Sequence, residues 1–180
     1  MAGSPIPGTR YSRLSIGLHW VMLALLVAVY ATILLRENYP RGSDIREALK
    51  AWHFTLGLSV FVLVWLRIVV RAVSPPPHVA SSWDARLAMV MHVVLYVLMV
   101  AMPILGWLAL SASGKPVPFF GLELPALTGS DKALAEQVEE VHETLGEVGY
   151  WLVGAHAVAA LFHHYVLRDG TLRRMLPGRV

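Results

Sequence analysis

Four long apolar runs constrain this chain more than any other feature of its sequence. Each approaches or exceeds the roughly 20 residues that an α-helix needs to cross the hydrocarbon core of a bilayer. Backbone polar groups inside a bilayer must be satisfied within their own segment, so runs of this kind fold as helices. The sequence therefore predicts an all-α, integral membrane four-helix bundle, a single transmembrane domain over residues 1–180. The predicted spans are approximately 14–35, 51–70, 87–110 and 145–167.

Composition supports a membrane protein and excludes several kinds of site. Charged residues make up 15% of the 180 residues and the mean hydropathy is +0.58, whereas soluble domains are about 25% charged. Cysteine is absent, which excludes disulfides, covalently attached c-type haem, thiolate zinc sites and cysteine-ligated iron–sulfur clusters. No soluble basic face is predicted, so nucleic acid is not an expected partner. The first apolar run is too long for a signal-peptide core and is expected to be a retained helix.

The connections between the spans carry turn and capping signals. A proline run in "RAVSPPPHVASSWDAR" is expected to end the second helix, and Pro103 to kink the third. The longest connection, about residues 111–140, begins with the turn-rich "SGKPVPFFGLELPAL" and then becomes acidic. There, Ser130 or Asp131 is predicted to cap a short amphipathic helix that leads into the fourth span.

Charge predicts which way the bundle faces. Nine of the 15 Lys and Arg residues fall on the side that holds both termini and the second connection, and six fall on the other side. The positive-inside bias therefore places both termini in the cytoplasm. Of the 12 acidic residues, only Asp84 and Asp169 fall on that inner side, in agreement with this orientation.

The fourth span contains histidines at two depths. In "VHETLGEVGYWLVGAHAVAALFHH", His142 and His156 are 14 residues apart, which is a rise of about 21 Å and an offset of about 40° around an α-helix. Topology proposes His53 as the partner of His142, here called the outer pair, and His19 as the partner of His156, here called the inner pair. His92 lies at a depth similar to that of His19, so depth counting also allows it as the inner partner in place of His156.

Two imidazoles from facing helices are typical of a haem site in a helical bundle. Gly57 and Gly146 each lie four residues after an outer histidine, so each leaves one helical turn without a side chain beside the expected macrocycle. Zinc usually takes three or four protein ligands, and the only carboxylate within the predicted spans is Glu147, near the start of the fourth. A histidine-lined metal or proton transporter is a third interpretation, and a colourless purified protein would support it.

Several stretches resemble the bacterial cytochrome b561 family over nearly the whole chain. They are "YSRLSIGLHW", "WHFTLGLSVFVLVWLRIVVR", "FFGLELP", "HETLGEVGYWLVGAHAVAALFHHY" and the closing "LRRMLPGR". The pattern is also similar to the cytochrome b subunits of membrane formate dehydrogenases and nickel–iron hydrogenases. Those similarities leave an alternative function, a membrane anchor and electron conduit for a soluble dehydrogenase or hydrogenase.

The b561 resemblance implies a protein of the bacterial inner membrane with two b haems that exchanges electrons with ubiquinone. In one type of member it implies a superoxide:ubiquinone oxidoreductase, which oxidises periplasmic superoxide to dioxygen. It further implies axial ligation by His19 with His156 and by His53 with His142, and it leaves His92 without an axial role.

Other residues are candidates for supporting roles. Cationic side chains near the membrane surface suit haem propionates. The inner candidates are Arg10, Arg13 and Arg168, and the outer ones are Arg46 and Lys50. Arg46 and Lys50, with other outer basic residues, are expected to draw an anion such as superoxide toward the outer pair. A quinone slot is expected in "KPVPFFGLELP", with His163 and His164 as inner alternatives. The sequence indicates no catalytic residue.

Overall fold

The chain folds into four long helices with a small hairpin between the last two. The computed structural model describes residues 10–74 and 83–176, so the proline-rich connection after the second span lies outside the described residues. The elements are α1 (Arg13–Arg36), α2 (Asp44–Val73), α3 (Trp83–Ala112), β1 (Val117–Phe119), β2 (Leu122–Leu124) and α4 (Lys132–Phe162).

All four helices are long and apolar enough to cross a membrane, which confirms the predicted bundle. Each predicted span lies inside one of them, apart from the last five residues of the fourth, where His163–Leu167 form a π-helical turn that continues α4. Large apolar side chains such as Val27, Val62 and Val158 are at least 60% exposed. Helices that are apolar on every face belong in an apolar solvent, so these surfaces are suited to lipid.

Local chemistry sets where the helices begin. Ser12 and Ser43 cap α1 and α2 by accepting hydrogen bonds from backbone N–H groups three residues ahead. Asp131 caps α4 in the same way, accepting from the Leu134 N–H at 3.1 Å, which confirms one of the two predicted caps. The predicted short amphipathic helix is not separate, because residues after Asp131 form the first turns of α4 itself.

The hairpin was not predicted from the sequence. Val117 pairs with Leu124 and Phe119 with Leu122, which leaves a two-residue loop at Phe120 and Gly121. Both loop residues have positive φ, 48° and 82°, as the tight turns that match strand twist require. Val117 is buried with Leu58 and Leu110, so the hairpin closes one end of the bundle over α2 and α3.

At the opposite end, the two terminal segments meet. The Arg10 guanidinium donates to the carbonyls of Arg173 and Leu176 at 3.0 and 2.8 Å. The Trp20 indole donates to the Met175 carbonyl at 2.8 Å. Both ends of the described chain therefore lie at the same end of the bundle, away from the hairpin.

Candidate functional site

The outer pair is assembled from α2 and α4. The ring centres of His53 and His142 are 6.3 Å apart, with the rings inclined by 80°. His53 Nδ1 lies 3.1 Å from the Val29 carbonyl on α1. A carbonyl can only accept a hydrogen bond, so Nδ1 carries the proton and donates it. Nε2 is then left with the free lone pair that a metal requires.

The His142 ring is fitted closely against α3. Its Nδ1 is buried and makes no hydrogen bond of acceptable geometry, although the Met102 carbonyl lies nearby. A methyl group at Gly106 would lie 3.4 Å from His142 Cε1, which is tighter than most side-chain contacts. Gly106 thus gives the imidazole its space. Sequence reasoning missed this glycine because its role depends on a contact between helices.

The inner pair comes from α1 and α4, and a third histidine joins it. The ring centres of His19 and His156 are 6.4 Å apart, while His92 on α3 lies 5.4 Å from His156. His92 Nδ1 is 2.6 Å from the Ala88 carbonyl one turn earlier in its own helix. The structure therefore brings together both members of each predicted pair, and it also places His92 against His156.

The separations fit imidazoles that share one metal ion. With metal–nitrogen bonds of about 2 Å and about 1.2 Å from each ligating nitrogen to its ring centre, two imidazoles on opposite sides of a metal have centres about 6.4 Å apart. The two predicted pairs match this value, and His92 with His156 is closer than it. Within residues 10–74 and 83–176, no three His, Asp or Glu side chains group as a metal site. Two-histidine sites of this kind suit iron whose other four ligands come from a porphyrin.

The glycines near the pairs divide into two kinds. A methyl group at Gly57 would meet no atom within 4 Å, so the face of α2 one turn beyond His53 is open. Gly146, in contrast, packs under Met102, whose Cε would lie 3.5 Å from an added methyl. The predicted clearance therefore holds at Gly57, whereas Gly146 serves close helix packing.

A tyrosine fills the interval between the two pairs. Tyr30 on α1 donates its hydroxyl to the Gly146 carbonyl at 2.8 Å, and its ring meets Tyr150 edge-on at 6.0 Å. Gly146 follows His142 by one turn and Gly149 precedes His156 by two turns. The phenol therefore lies against α4 between the two predicted ligands, in contact with the bare backbone at Gly149.

Gly149→Ala is expected to lower stability by about 1–3 kcal/mol, the usual cost of overpacking a fitted interior. The added methyl would lie 3.0 Å from the Tyr30 hydroxyl oxygen, which is held by its hydrogen bond. The measurement is the free energy of unfolding in detergent. Gly154→Ala on the same helix is the matched control, because a methyl there meets nothing within 4 Å.

Tyr30→Phe removes the oxygen that clashes, so adding it to Gly149→Ala is expected to cost less than the sum of the two single changes. An equal loss of unfolding free energy in Gly149→Ala and Gly154→Ala would show that the contact with Tyr30 does not cause the destabilisation.

The predicted supporting cations have different environments. Arg46 donates to the carbonyls of Arg36 and Tyr39, each at 2.9 Å, and lies 3.6 Å from Glu37. A hydrogen bond from Arg36, and then the positive charges of Arg36 and Arg46, lower the pKa of Glu37. Arg46 therefore holds the α1–α2 connection together. Lys50 is half-buried and Arg13 is exposed.

Arg67 lies beside His19 of the inner pair. From the sequence it was counted only as one of the positive charges on the cytoplasmic side. Its Nη1 lies 3.2 Å from His19 Nδ1, and its guanidinium carbon lies 6.0 Å from the centre of the Tyr96 ring. The available signal was an arginine inside the apolar run "FVLVWLRIVV", since an ionisable residue within a span usually marks function.

The two histidines that follow α4 have different neighbours. His163 Nδ1 lies 2.6 Å from Asp169 Oδ2, where the chain turns back toward Arg173. Desolvation raises the pKa of Asp169, but hydrogen bonds from His163 and Thr171 outweigh it and lower that pKa to about 2. The His164 ring packs edge-on against Tyr165, with centres 4.7 Å apart.

Known proteins match this sequence along almost their full length. The family described as prokaryotic cytochrome b561 matches residues 10–178. "Cytochrome b561 homolog 1" of Escherichia coli (strain K12) is 35% identical over 176 residues, covering 94% of this chain and 98% of the relative.

Two further relatives also match almost the whole chain. "Probable superoxide oxidase CybB" of Yersinia pestis is 37% identical over 173 residues, covering 94% of this chain and 97% of the relative. "Cytochrome b562" of Cereibacter sphaeroides is 30% identical over 176 residues, covering 94% and 96%.

Proposed function

Because the chain belongs to the prokaryotic cytochrome b561 family, whose members are membrane electron-transfer proteins with haem b, we propose that it holds two b haems. The observation that carries the proposal is the presence of two histidine pairs with ring centres 6.3 and 6.4 Å apart. His53 and His142 would hold the outer haem, and His19 and His156 the inner one. A bound b haem would supply a one-electron couple, and the two histidines of each pair would hold it for electron transfer rather than for dioxygen binding.

The proposed reaction oxidises superoxide to dioxygen and reduces ubiquinone. Two superoxide anions give up one electron each, and these electrons with two protons convert one ubiquinone to ubiquinol. Support comes from the relative named as a superoxide oxidase, which matches 94% of this chain. Superoxide is the anionic donor and ubiquinone the lipid-soluble acceptor in this proposal.

The proposed location is the bacterial inner membrane with both termini in the cytoplasm. Both ends of the described chain lie at one end of the bundle, as the Arg10 contacts require. The excess of Lys and Arg on that side favours the cytoplasm. The outer pair and the hairpin would then lie toward the periplasm.

The proposed site for the quinone head group is a cleft at the hairpin end. Its volume is about 470 Å³ and its lining includes Ser111, Lys115, Val117 and Leu124. Ligand sites commonly measure about 300–1,000 Å³ and are mostly apolar with a few polar groups. This is the stretch where the sequence predicts a quinone slot.

The direct test is anaerobic addition of superoxide to the pure, oxidised protein. We expect reduction of the haems by superoxide, and oxidation when a soluble ubiquinone analogue is added. Haem reduction by ubiquinol but not by superoxide would contradict the superoxide activity and favour a conduit for another redox subunit. Absence of haem from the purified protein would contradict the whole proposal.

Lys50→Gln is expected to slow reduction by superoxide about two- to fivefold at low ionic strength, since a fixed cation raises the local concentration of an anion. The bimolecular rate should fall as salt rises, because screening acts over about 10 Å at 0.1 M. Lys132→Gln is the matched control, since Lys132 is an exposed lysine whose Nζ lies 3.7 Å from Glu136.

Lys50→Gln also distinguishes electrostatic steering of superoxide from binding of a haem propionate. Loss of a propionate partner would shift the potential of the outer haem, whereas loss of steering changes the rate at unchanged potential. A rate that does not depend on salt would exclude steering. Because Arg46 is bound to two carbonyls, Arg46→Gln is expected to destabilise the α1–α2 connection rather than to act through steering.

A further inference from the structure

Arg67, inside the membrane span of α2, has no acidic partner among the residues that the structure describes. Among the described residues, no carboxylate oxygen lies within 4 Å of the Arg67 guanidinium. Its neighbours are His19 Nδ1 at 3.2 Å and, at the limit of hydrogen bonding, the Leu18 carbonyl at 3.5 Å. A cation in the interior of a membrane protein is costly unless an anion or several hydrogen bonds compensate it. Arg67 is therefore a cation that lacks an anion.

The groups around Arg67 suit an anion of carboxylate type. A narrow cleft at this end of the bundle is lined by two guanidinium groups and four hydroxyl-bearing side chains, from Tyr11, Ser15, Arg67, Arg71, Ser74 and Tyr96. Guanidinium groups bind carboxylates through paired hydrogen bonds, and hydroxyl groups can add further donors. The cleft adjoins His19, since Leu18 and Arg67 are both in its lining.

The contact between Arg67 and His19 is not compatible with metal ligation through His19 Nε2. A guanidinium can only donate, so His19 Nδ1 accepts and the ring proton is on Nε2. A ligating imidazole needs the opposite tautomer, with Nε2 free and Nδ1 protonated. Two donors would then face each other across 3.2 Å. Arg67 must therefore take another acceptor when His19 binds iron.

We propose that Arg67 anchors a propionate carboxylate of the inner haem in this cleft. The proposal rests on the two-haem function above. A carboxylate supplies the anion that Arg67 lacks and the acceptor that it needs once His19 Nδ1 becomes a donor. This assigns to Arg67 the role that the sequence predicted for Arg13, which is exposed at the first position of α1.

Redox titration of the purified holoprotein tests the assignment. Arg67→Gln should lower the midpoint potential of the inner haem, because an unpaired propionate charge favours the oxidised iron. A tenfold change in the equilibrium between oxidised and reduced iron corresponds to 59 mV for a one-electron couple, and a shift of about this size is expected. The outer haem should keep its potential. Arg86→Gln, an exposed arginine at the same end of the bundle that does not line the cleft, should change neither.

Infrared difference spectra give a readout that a merely structural role would not change. With haem labelled with ¹³C at the propionate carboxyls, Arg67→Gln should shift a labelled band on reduction of the inner haem. Arg67→Lys should restore most of the potential but still shift the band, because an ammonium group cannot make the paired hydrogen bonds of a guanidinium. Unchanged potential and unchanged bands in variants that load both haems would overturn the proposal, as would a larger effect of Arg13→Gln.

The haem content of each variant is a further test of the proposal. Loss of only the inner haem from both Arg67 variants, with two haems in Arg86→Gln, would support anchoring, and the retained outer haem would report a folded bundle. A wild-type protein with fewer than two haems would instead contradict the proposed function. Failure of the two proposals is therefore distinguishable.

Discussion

His142→Ala is expected to reduce the haem content of the purified protein from two per chain to one. His142 is the partner of His53 across the outer pair, with ring centres 6.3 Å apart. Removing it takes away one of the two proposed axial ligands and leaves His53 alone on the facing helix. The inner pair lies about 21 Å further along α4, so it should keep its haem. A pyridine-haemochrome assay against protein concentration measures the ratio.

His164→Ala is the matched control for this prediction. It removes a histidine that follows α4, and His164 belongs to neither pair, since its ring packs edge-on against Tyr165. It should retain two haems. Two haems in His142→Ala would show that the outer pair is a packing contact between rings. Loss of both haems in His142→Ala would show that the sites are not independent.

The helices and the outer histidine pair were predictable from apolar length, helical rise and topology, whereas depth counting left the inner partner open between His156 and His92. Membrane spans are set by apolar length, and topology decides which ends of helices meet. Asp131 was predictable as a cap because capping depends on the side chain and the backbone three residues ahead. His142 and His156 share one face of a single helix, so their depths could be read from the helical rise.

The hairpin and the supporting residues depend on contacts that the sequence does not reveal. Phe120 adopts a positive φ that phenylalanine rarely takes, so turn propensity did not predict it. Arg46 was expected to attract anions, yet its guanidinium is held by carbonyls from the preceding connection. The roles of Gly106 and Arg67 depend on their contacts with histidines of other helices.

His92→Ala is expected to leave both haems in place, while His19→Ala removes the inner one. Depth counting allowed His92 in place of His156 as the partner of His19, and the structure places both His19 and His92 beside His156. Their distances differ. His19 lies 6.4 Å from His156 between ring centres, as two imidazoles on one metal require, and His92 lies 5.4 Å away. His92 is therefore proposed to pack against the ligand rather than to replace its partner.

The hydrogen bonds in the structure favour His92 over His19 as a metal ligand. Comparing the two variants therefore decides between the two histidines. His92 donates from Nδ1 to Ala88 and already has the tautomer of a ligand, whereas His19 Nδ1 accepts from Arg67. His19 becomes a ligand only if Arg67 moves to another acceptor. Haem content and the low-spin spectrum of each variant decide between them. Loss of the inner haem in His92→Ala, with retention in His19→Ala, would make His92 the ligand and would remove the reason for Arg67 to release His19.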